Sequence, residues 1–319
     1  MNRRTLCLSA WALAFGGVGA SAQPAFPTHA VRLVVAFPAG GAADAAARIV
    51  AEKLSAKWKQ PVIVDNRPGA AGAVGTEVVV KSLPDGHTAL LNVSTLLVNE
   101  VTKPPAAFRL FRDLRPVTTL FTTPVLFAVG EGVKGRTLGE VMREAKAAGK
   151  PFSYGHHGDG TSTHLMGERL SRLAGAQMVA VPYAGDAPMS NDLMGGHLSA
   201  GFSSATNAKK LVDSGKVRVV AQSFQRRSPL FPDIPTFHEL GYEEMDRGTW
   251  GRVFLPAGAP EAVAVQFSAA IREALQMKDV REKFDALGLV PGGGTPEQTL
   301  TELQGDYAYW QSRQREIGR

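Results

Sequence analysis

The feature that most limits how this chain folds is a unit used repeatedly: an apolar run, a glycine- or proline-marked loop, then a helical stretch. Val31 to Phe37 reads as a buried strand, and from Asp44 to Trp58 the apolar residues Ala47, Val50, Leu54 and Trp58 recur at helical spacing. Pro61 to Val64, Thr76 to Lys81 and Thr88 to Val93 continue as strand, helix and strand. A second series opens with Pro124-Val-Leu-Phe-Ala-Val129, and strands at Phe152–Tyr154, Met178–Val181, Leu198–Phe202 and Val217–Gln222 alternate with helices. Such repetition argues for an α/β fold with mostly parallel sheets flanked by helices on both faces. Two series suggest two lobes. The strand Gly251–Leu255 and three closing helices, the last with Leu300, Leu303, Tyr307 and Trp310 on one face, can return to the first lobe. In open sheets of this class ligands sit at the carboxyl ends of strands, so two facing lobes would enclose a cleft.

The start of the chain and its charge narrow the function classes. Arg3 and Arg4, the apolar run Leu6 to Val18 and the small residues Ala20-Ser21-Ala22 make a secretory leader, residues 1–22, with cleavage expected after Ala22. The run is too short to span a bilayer, and no later run is long enough. Asn2-Arg-Arg-Thr-Leu also resembles a weak twin-arginine signal, which leaves the export route open. Cleavage removes the only cysteine, Cys7, and with it any disulfide, thiol nucleophile or thiolate ligand. It also removes Arg3 and Arg4, so Lys+Arg falls from 35 to 33 against 29 acidic residues, a formal charge of +4. With no dense basic block, nucleic acid is not an expected partner.

Two loops are candidate sites. Phe37-Pro-Ala-Gly-Gly-Ala-Ala-Asp44 lies between a strand end and a helix start, where free N–H groups and the helix dipole favour an anion. It lacks the lysine of a phosphate loop and is no GxGxxG. A plain turn with Asp44 capping the helix fits the same residues. Gly155-His-His-Gly-Asp-Gly-Thr161 repeats the setting in the second series, with Thr161 to Thr163 at the helix start. His156, His157, Asp159 and His164 raise the question of zinc, but their spacing matches no familiar ligand pattern, and a structural turn stays open. No GxSxG elbow is present and no catalytic constellation survives. Gly69, Gly72 and Gly75 read as close packing. No metal or cofactor is expected.

Several stretches recur together in a specific order: Val31-Arg-Leu-Val-Val-Ala-Phe-Pro-Ala-Gly-Gly-x-x-Asp44-x-x-Ala-Arg48, Gln60-Pro-Val-Ile-Val-Asp-Asn-Arg-Pro-Gly-Ala70 and Pro84-Asp-Gly86. They continue with Gly158-x-Gly-Thr-Ser-x-His-Leu165, Val181-Pro-Tyr183-x-Gly185, Asp192-Leu, Ser228-Pro-Leu-Phe-Pro-Asp-Ile-Pro-Thr236 and Leu255-Pro-Ala-Gly-Ala-Pro260. In this the chain resembles the Bug-type extracytoplasmic solute receptors of tripartite tricarboxylate transporters. The resemblance implies a type II-like periplasmic binding protein with two α/β lobes joined by crossover strands. Lobe one would be 23–123 and 245–319, and lobe two 124–244. It further implies a monomeric periplasmic receptor, not an enzyme, that closes on a small carboxylate ligand and hands it to integral-membrane transporter subunits. By position, Phe37, Pro38, Ala39, Gly40, Gly41 and Asp44 would supply lobe one's donors, with Ser94 after the third strand. Gly155, His156, Gly158, Gly160, Thr161 and Thr163 would face them, with Tyr183 and Phe202 as walls. Neutral donors suffice for this, each charge-assisted bond being worth ~1.5–3 kcal/mol.

Departures from the family pattern bear on the ligand. His156 stands where a small serine is usual, Ala184 where a lysine is usual, and Asn99-Glu-Val-Thr-Lys-Pro-Pro105 replaces the usual Asn-Pro and Leu-Tyr pattern. His156 is expected to narrow the cleft and to strengthen binding when protonated. The alternatives are a binding or sensor protein without a transporter, and a metal-dependent enzyme using the His156/His157 loop.

Overall fold

The alternation of apolar runs and glycine loops becomes two helix-flanked sheets in a computed structural model that describes residues 26–102, 107–147, 149, 151–224 and 226–317. The expected leader and Cys7 lie outside the described residues. The first sheet opens with β1 (Val31–Val35), α1 (Ala42–Trp58), β2 (Val62–Asn66), α2 (Ala73–Val80), β3 (Thr88–Val93), α3 (Thr95–Thr102), α4 (Leu110–Asp113) and β4 (Leu114–Thr123). The second holds β5 (Val125–Gly130), α5 (Leu138–Ala147), β6 (Phe152–His156), α6 (Ser162–Ala174), β7 (Met178–Pro182), α7 (Asp186–Met194), β8 (Ala200–Ser204), α8 (Ala205–Asp213) and β9 (Val217–Gln222). The chain then returns with β10 (Thr249–Pro256), α9 (Glu261–Gln276), α10 (Lys278–Ala286), β11 (Val290–Pro291) and α11 (Pro296–Ile317).

The six-stranded sheet runs β11-β4-β10-β3-β1-β2 and the five-stranded sheet β7-β6-β8-β5-β9. Within the βα units the strands are parallel: β1 pairs with β2 and β3, and β6 with β7 and β8. The strands that carry the chain between sheets run antiparallel, β10 against β3 and β4, and β5 against β8 and β9. The two-lobed α/β architecture therefore has mixed sheets, a refinement of the mostly parallel expectation. A strand that enters a sheet without a crossover helix is free to pair antiparallel.

Each sheet buries both faces. On the first, α1, α9 and α10 contribute Leu54, Phe267 and Phe284 to one cluster, while Val79, Leu97, Leu303 and Trp310 cover the other face. On the second, Val141 and Leu170 pack on one side, and Leu193 and Leu211 on the other. α11 is pinned to β10 by Arg252, which is 4% exposed, sits over the Trp250 ring and donates to Asp306 at 2.9 Å. Leu300 remains exposed at the start of α11, unlike the rest of its expected face.

β4 passes into β5 through Pro124 alone, and the chain returns along residues 223–248. There a Cβ on Gly248 would lie 2.5 Å from the Thr123 carbonyl oxygen and 2.3 Å from the Phe224 ring. The two crossings touch, and only glycine allows it.

Candidate functional site

β1 runs out at Phe37-Pro38, and Gly40 turns the chain with φ +84, a left-handed conformation that favours glycine. Gly41 caps α1 in extended backbone (φ −82, ψ 172) with no side-chain cap. The amides of Gly41, Ala42 and Ala43 accordingly have no acceptor among the described residues. Asp44, 4% exposed, bends its carboxylate back to accept from the Gly40 amide at 2.9 Å and from Arg48 Nε at 3.1 Å, with a second Arg48 contact of 2.9 Å. Burial alone would raise its pKa, but Arg48 and the Gly40 amide outweigh it and hold the carboxyl below the usual range. Asp44 thus braces the loop from within. Its carboxylate is committed to loop contacts, while Pro38, Ala39, Gly40 and Gly41 are exposed and Phe37 is half-buried.

The second loop is built differently. Gly158 and Gly160 take φ +106 and +73, and Thr161 caps α6, its Oγ1 accepting from the His164 amide at 3.4 Å. Thr161 Oγ1 also donates to the Gly158 carbonyl at 2.7 Å, and Thr163 Oγ1 accepts from the His157 amide at 3.0 Å. Both threonine hydroxyls are therefore engaged inside the loop. The Ser162 and Thr163 amides have no acceptor among the described residues. This rim faces the first sheet: Thr102 Oγ1 on α3 donates to the Gly160 carbonyl at 3.3 Å. Leu165 is buried in one cluster with Val34, Ala36, Leu97 and Trp250. Two helix N-termini with unsatisfied amides, α1 and α6, thus come from different lobes. Each of these N-termini by itself favours an anion.

Other expected contacts fall elsewhere. Phe202 is fully buried and packs on Phe127, Tyr154 and Phe237, so it is a core residue and no cleft wall. Its side chain shares the inward face of β8 with Ala200. His156 is 0% exposed and stacks on His164 at 4.4 Å between centroids. Burial, then His164, pushes its pKa below the ordinary histidine value, so the expected protonated donor is disfavoured. Tyr183 donates its hydroxyl to Asp192 at 2.7 Å, with its pKa pushed up to about 12 by burial and that contact. Gly155 is buried beneath Met189 and Leu198. Ser94, 2% exposed, has a hydroxyl without a partner, at the carboxyl end of β3. Gly75 packs α2 on the end of β1, where a Cβ would lie 2.9 Å from the Ala36 Cα.

His156, Asp159 and His164 offer ligand atoms within 4.8 Å of one another. The rings lie nearly parallel, 17° apart, and His164 Nδ1 accepts from the Gly160 amide at 3.0 Å. A metal on Nε2 would require Nδ1 to carry the proton and meet an acceptor, the reverse of this arrangement. These residues do not fit a metal.

The sequence pointed to Asn99 only as a departure from the family pattern and to His157 only as a possible zinc ligand, and Asp186, Ser203 and Ser204 were missed. Asn99 Oδ1, like the Ser94 hydroxyl, is buried without a partner, while its Nδ2 donates to the Ala71 carbonyl at 3.3 Å. Asp186 accepts from His157 at 3.0 Å, Ser203 at 3.2 Å and Ser204 at 2.7 Å. The available signal was slight: an acidic residue directly after Gly185, at the first position of a helix.

The model of the tripartite tricarboxylate transporter family receptor matches residues 46–317. Protein BugT of Bordetella pertussis is 33% identical over 295 residues, covering 92% of this chain and 90% of its own. Among solved structures, R. palustris Rpa4515 with adipate superposes with a TM-score of 0.85 at 27% identity, covering 92% of this chain and 98% of that one. MatC from Rhodopseudomonas palustris with bound malate gives 0.79 at 27% identity, covering 91% and 100%. With two helix-flanked sheets and a family match over residues 46–317, this chain belongs to the receptor family of the tripartite tricarboxylate transporters.

Proposed function

We propose that this protein is an exported periplasmic receptor that clamps the carboxylate of a small solute and delivers it to membrane transporter subunits, without doing chemistry. The observation that carries the proposal is the pair of unsatisfied amide sets, Gly41 to Ala43 and Ser162 to Thr163, one from each lobe. A carboxylate between them would exchange water for several charge-assisted bonds of ~1.5–3 kcal/mol each, without a lysine or arginine in either loop. Adipate and malate, named with two structural relatives, are both carboxylates, which supports that class of ligand here. Ser94 and Asn99, each with a buried unpartnered oxygen, are further candidate contacts.

Lobe one is assigned to 23–123 and 245–319 and lobe two to 124–244, hinged at the Pro124 and Gly248 crossings, and the receptor acts as a monomer. Among the described residues no helix is long and apolar enough to cross a membrane. Cleavage after Ala22 predicts a periplasmic species beginning at Gln23, which mass spectrometry of that fraction would detect.

A thermal-shift screen with mono-, di- and tricarboxylates, hydroxy acids and amino acids tests the reading. A ligand at about 100 times its Kd adds ~2.7 kcal/mol and raises Tm visibly. If no carboxylate raises Tm and zinc does, the receptor reading fails.

A further inference from the structure

The lobe-two rim contains a carboxylate of its own. Asp186, the first residue of α7, lies where the loops after β6, β7 and β8 meet. Its Oδ1 accepts from His157 Nε2 at 3.0 Å and Ser203 Oγ at 3.2 Å, and its Oδ2 accepts from Ser204 Oγ at 2.7 Å. Asn207 holds Ser203 and Ser190 at 2.8 and 2.9 Å, and Ser190 donates to the Asp186 carbonyl at 2.7 Å. Burial pushes the Asp186 carboxyl up, but His157 and the two serines outweigh it and keep it ionised. The group still reaches solvent: the Asp186 and His157 side chains are 27% and 28% exposed.

Two consequences follow from elementary chemistry. A carboxylate offers about four lone-pair sites, and three donors occupy three of them, leaving one on Oδ2. A second fixed anion beside it would be repelled, as two carboxylates sharing a site disfavour joint ionisation. One residue links the two ends of this rim. His157 spans from the α6 N-terminus, where its amide meets Thr163, to Asp186, which its ring meets. A solute clamped by its carboxylate at the α6 amides would place its far end one histidine's length away.

We propose that Asp186, oriented by His157, Ser203 and Ser204, is a specificity-determining residue that selects carboxylates bearing a hydrogen-bond donor at the far end, a hydroxyl or ammonium, over dicarboxylates. This rests on the carboxylate-receptor reading and narrows it. Asp186 accepts the donor through its open Oδ2 site, and the same charge excludes a second carboxylate.

The test is calorimetry on the full exported chain with acids matched in length. At four carbons these are butyrate, 4-hydroxybutyrate, 4-aminobutyrate and succinate; at six, hexanoate, 6-hydroxyhexanoate, 6-aminohexanoate and adipate. Each is measured against the wild type, Asp186→Asn and Ser204→Ala. The wild type should bind the better donor-bearing acid at least tenfold tighter than the dicarboxylate of equal length. Asp186→Asn should bring that ratio to within about threefold. A wild-type preference for the dicarboxylate overturns the inference while leaving the receptor reading intact, and so does an unchanged ratio in Asp186→Asn. If Asp186→Asn does not fold, the decision passes to Ser204→Ala, which frees a second acceptor site on Asp186: a donor-to-dicarboxylate ratio below the wild-type value overturns the inference. Binding by none of the acids, at either length, overturns this inference, while the receptor reading is decided by the wider thermal-shift screen.

Discussion

The two clamp loops share a strand–loop–helix plan yet are stabilised in opposite ways. The lobe-one loop is exposed from Pro38 to Gly41 and is held by one charged side chain, Asp44, reaching back to Gly40. The lobe-two loop buries His156, Thr161, Ser162 and Thr163 and is held by neutral hydroxyls and stacked imidazoles. The difference teaches that the shared element is the row of unsatisfied amides, because beyond the strand–loop–helix plan and its left-handed glycines the two loops are held by different side chains. Side chains serve to hold each row in place. One lobe does so with an ion pair at a solvent edge, the other with packing.

The contrast breaks most sharply at the packing of α6. Gly167 lies so close to β6 that a Cβ would fall 1.9 Å from the buried Tyr154 ring. Gly167→Ala should lift α6, cost about 3 kcal/mol in urea denaturation and weaken carboxylate binding together with stability. A neutral result would mean that lobe two is as adaptable as lobe one. Asp44→Asn is next, with an expected loss of about 1–2 kcal/mol as the Gly40 and Arg48 contacts weaken. The folded Asp44 pKa is below the ordinary aspartate value, so its contribution is complete above that value and is lost as pH falls through the lower folded one. Acid titration of wild type and Asp44→Asn should therefore converge near the bottom of that range. The smallest effect belongs to His156. Its folded pKa lies below 6.5, so the unfolded chain takes the proton first and stability is lost as pH falls from about 6.5 toward the folded value. His156→Gln should flatten that limb of the stability profile, with little change at pH 8.

How far the sequence could be read follows the same division. α1 and α6 were legible because each begins after a glycine loop and keeps helical spacing for several turns. β4 was not: Leu114-Arg-Pro-Val-Thr-Thr-Leu-Phe-Thr-Thr123 follows no helix of the repeating unit and mixes threonine pairs with a proline. α3 was also missed, since eight residues are too few for periodicity to separate helix from strand. Within the site, the positions of the loops could be read but the faces of side chains could not. Phe202 falls in the lobe-two core because of which way β8 faces, and a stretch of apolar residues does not fix that. His157 and Asp186 lie 29 residues apart with no motif joining them, so only the fold brings them together.

The central claim, that the clamp works through backbone amides, has a direct test. Ala42 and Ser162 are the first helical residues of α1 and α6, and the residues before them, Gly41 and Thr161, already have extended backbone (ψ 172 and 164). Proline is tolerated at that helical position and removes only the N–H, besides the small side chain it replaces. Calorimetry of Ala42→Pro and Ser162→Pro with the tightest carboxylate from the thermal-shift screen should show affinity lowered at least tenfold in each, with unfolding free energy kept within about 1 kcal/mol of wild type. Wild-type affinity in both folded variants would contradict the account.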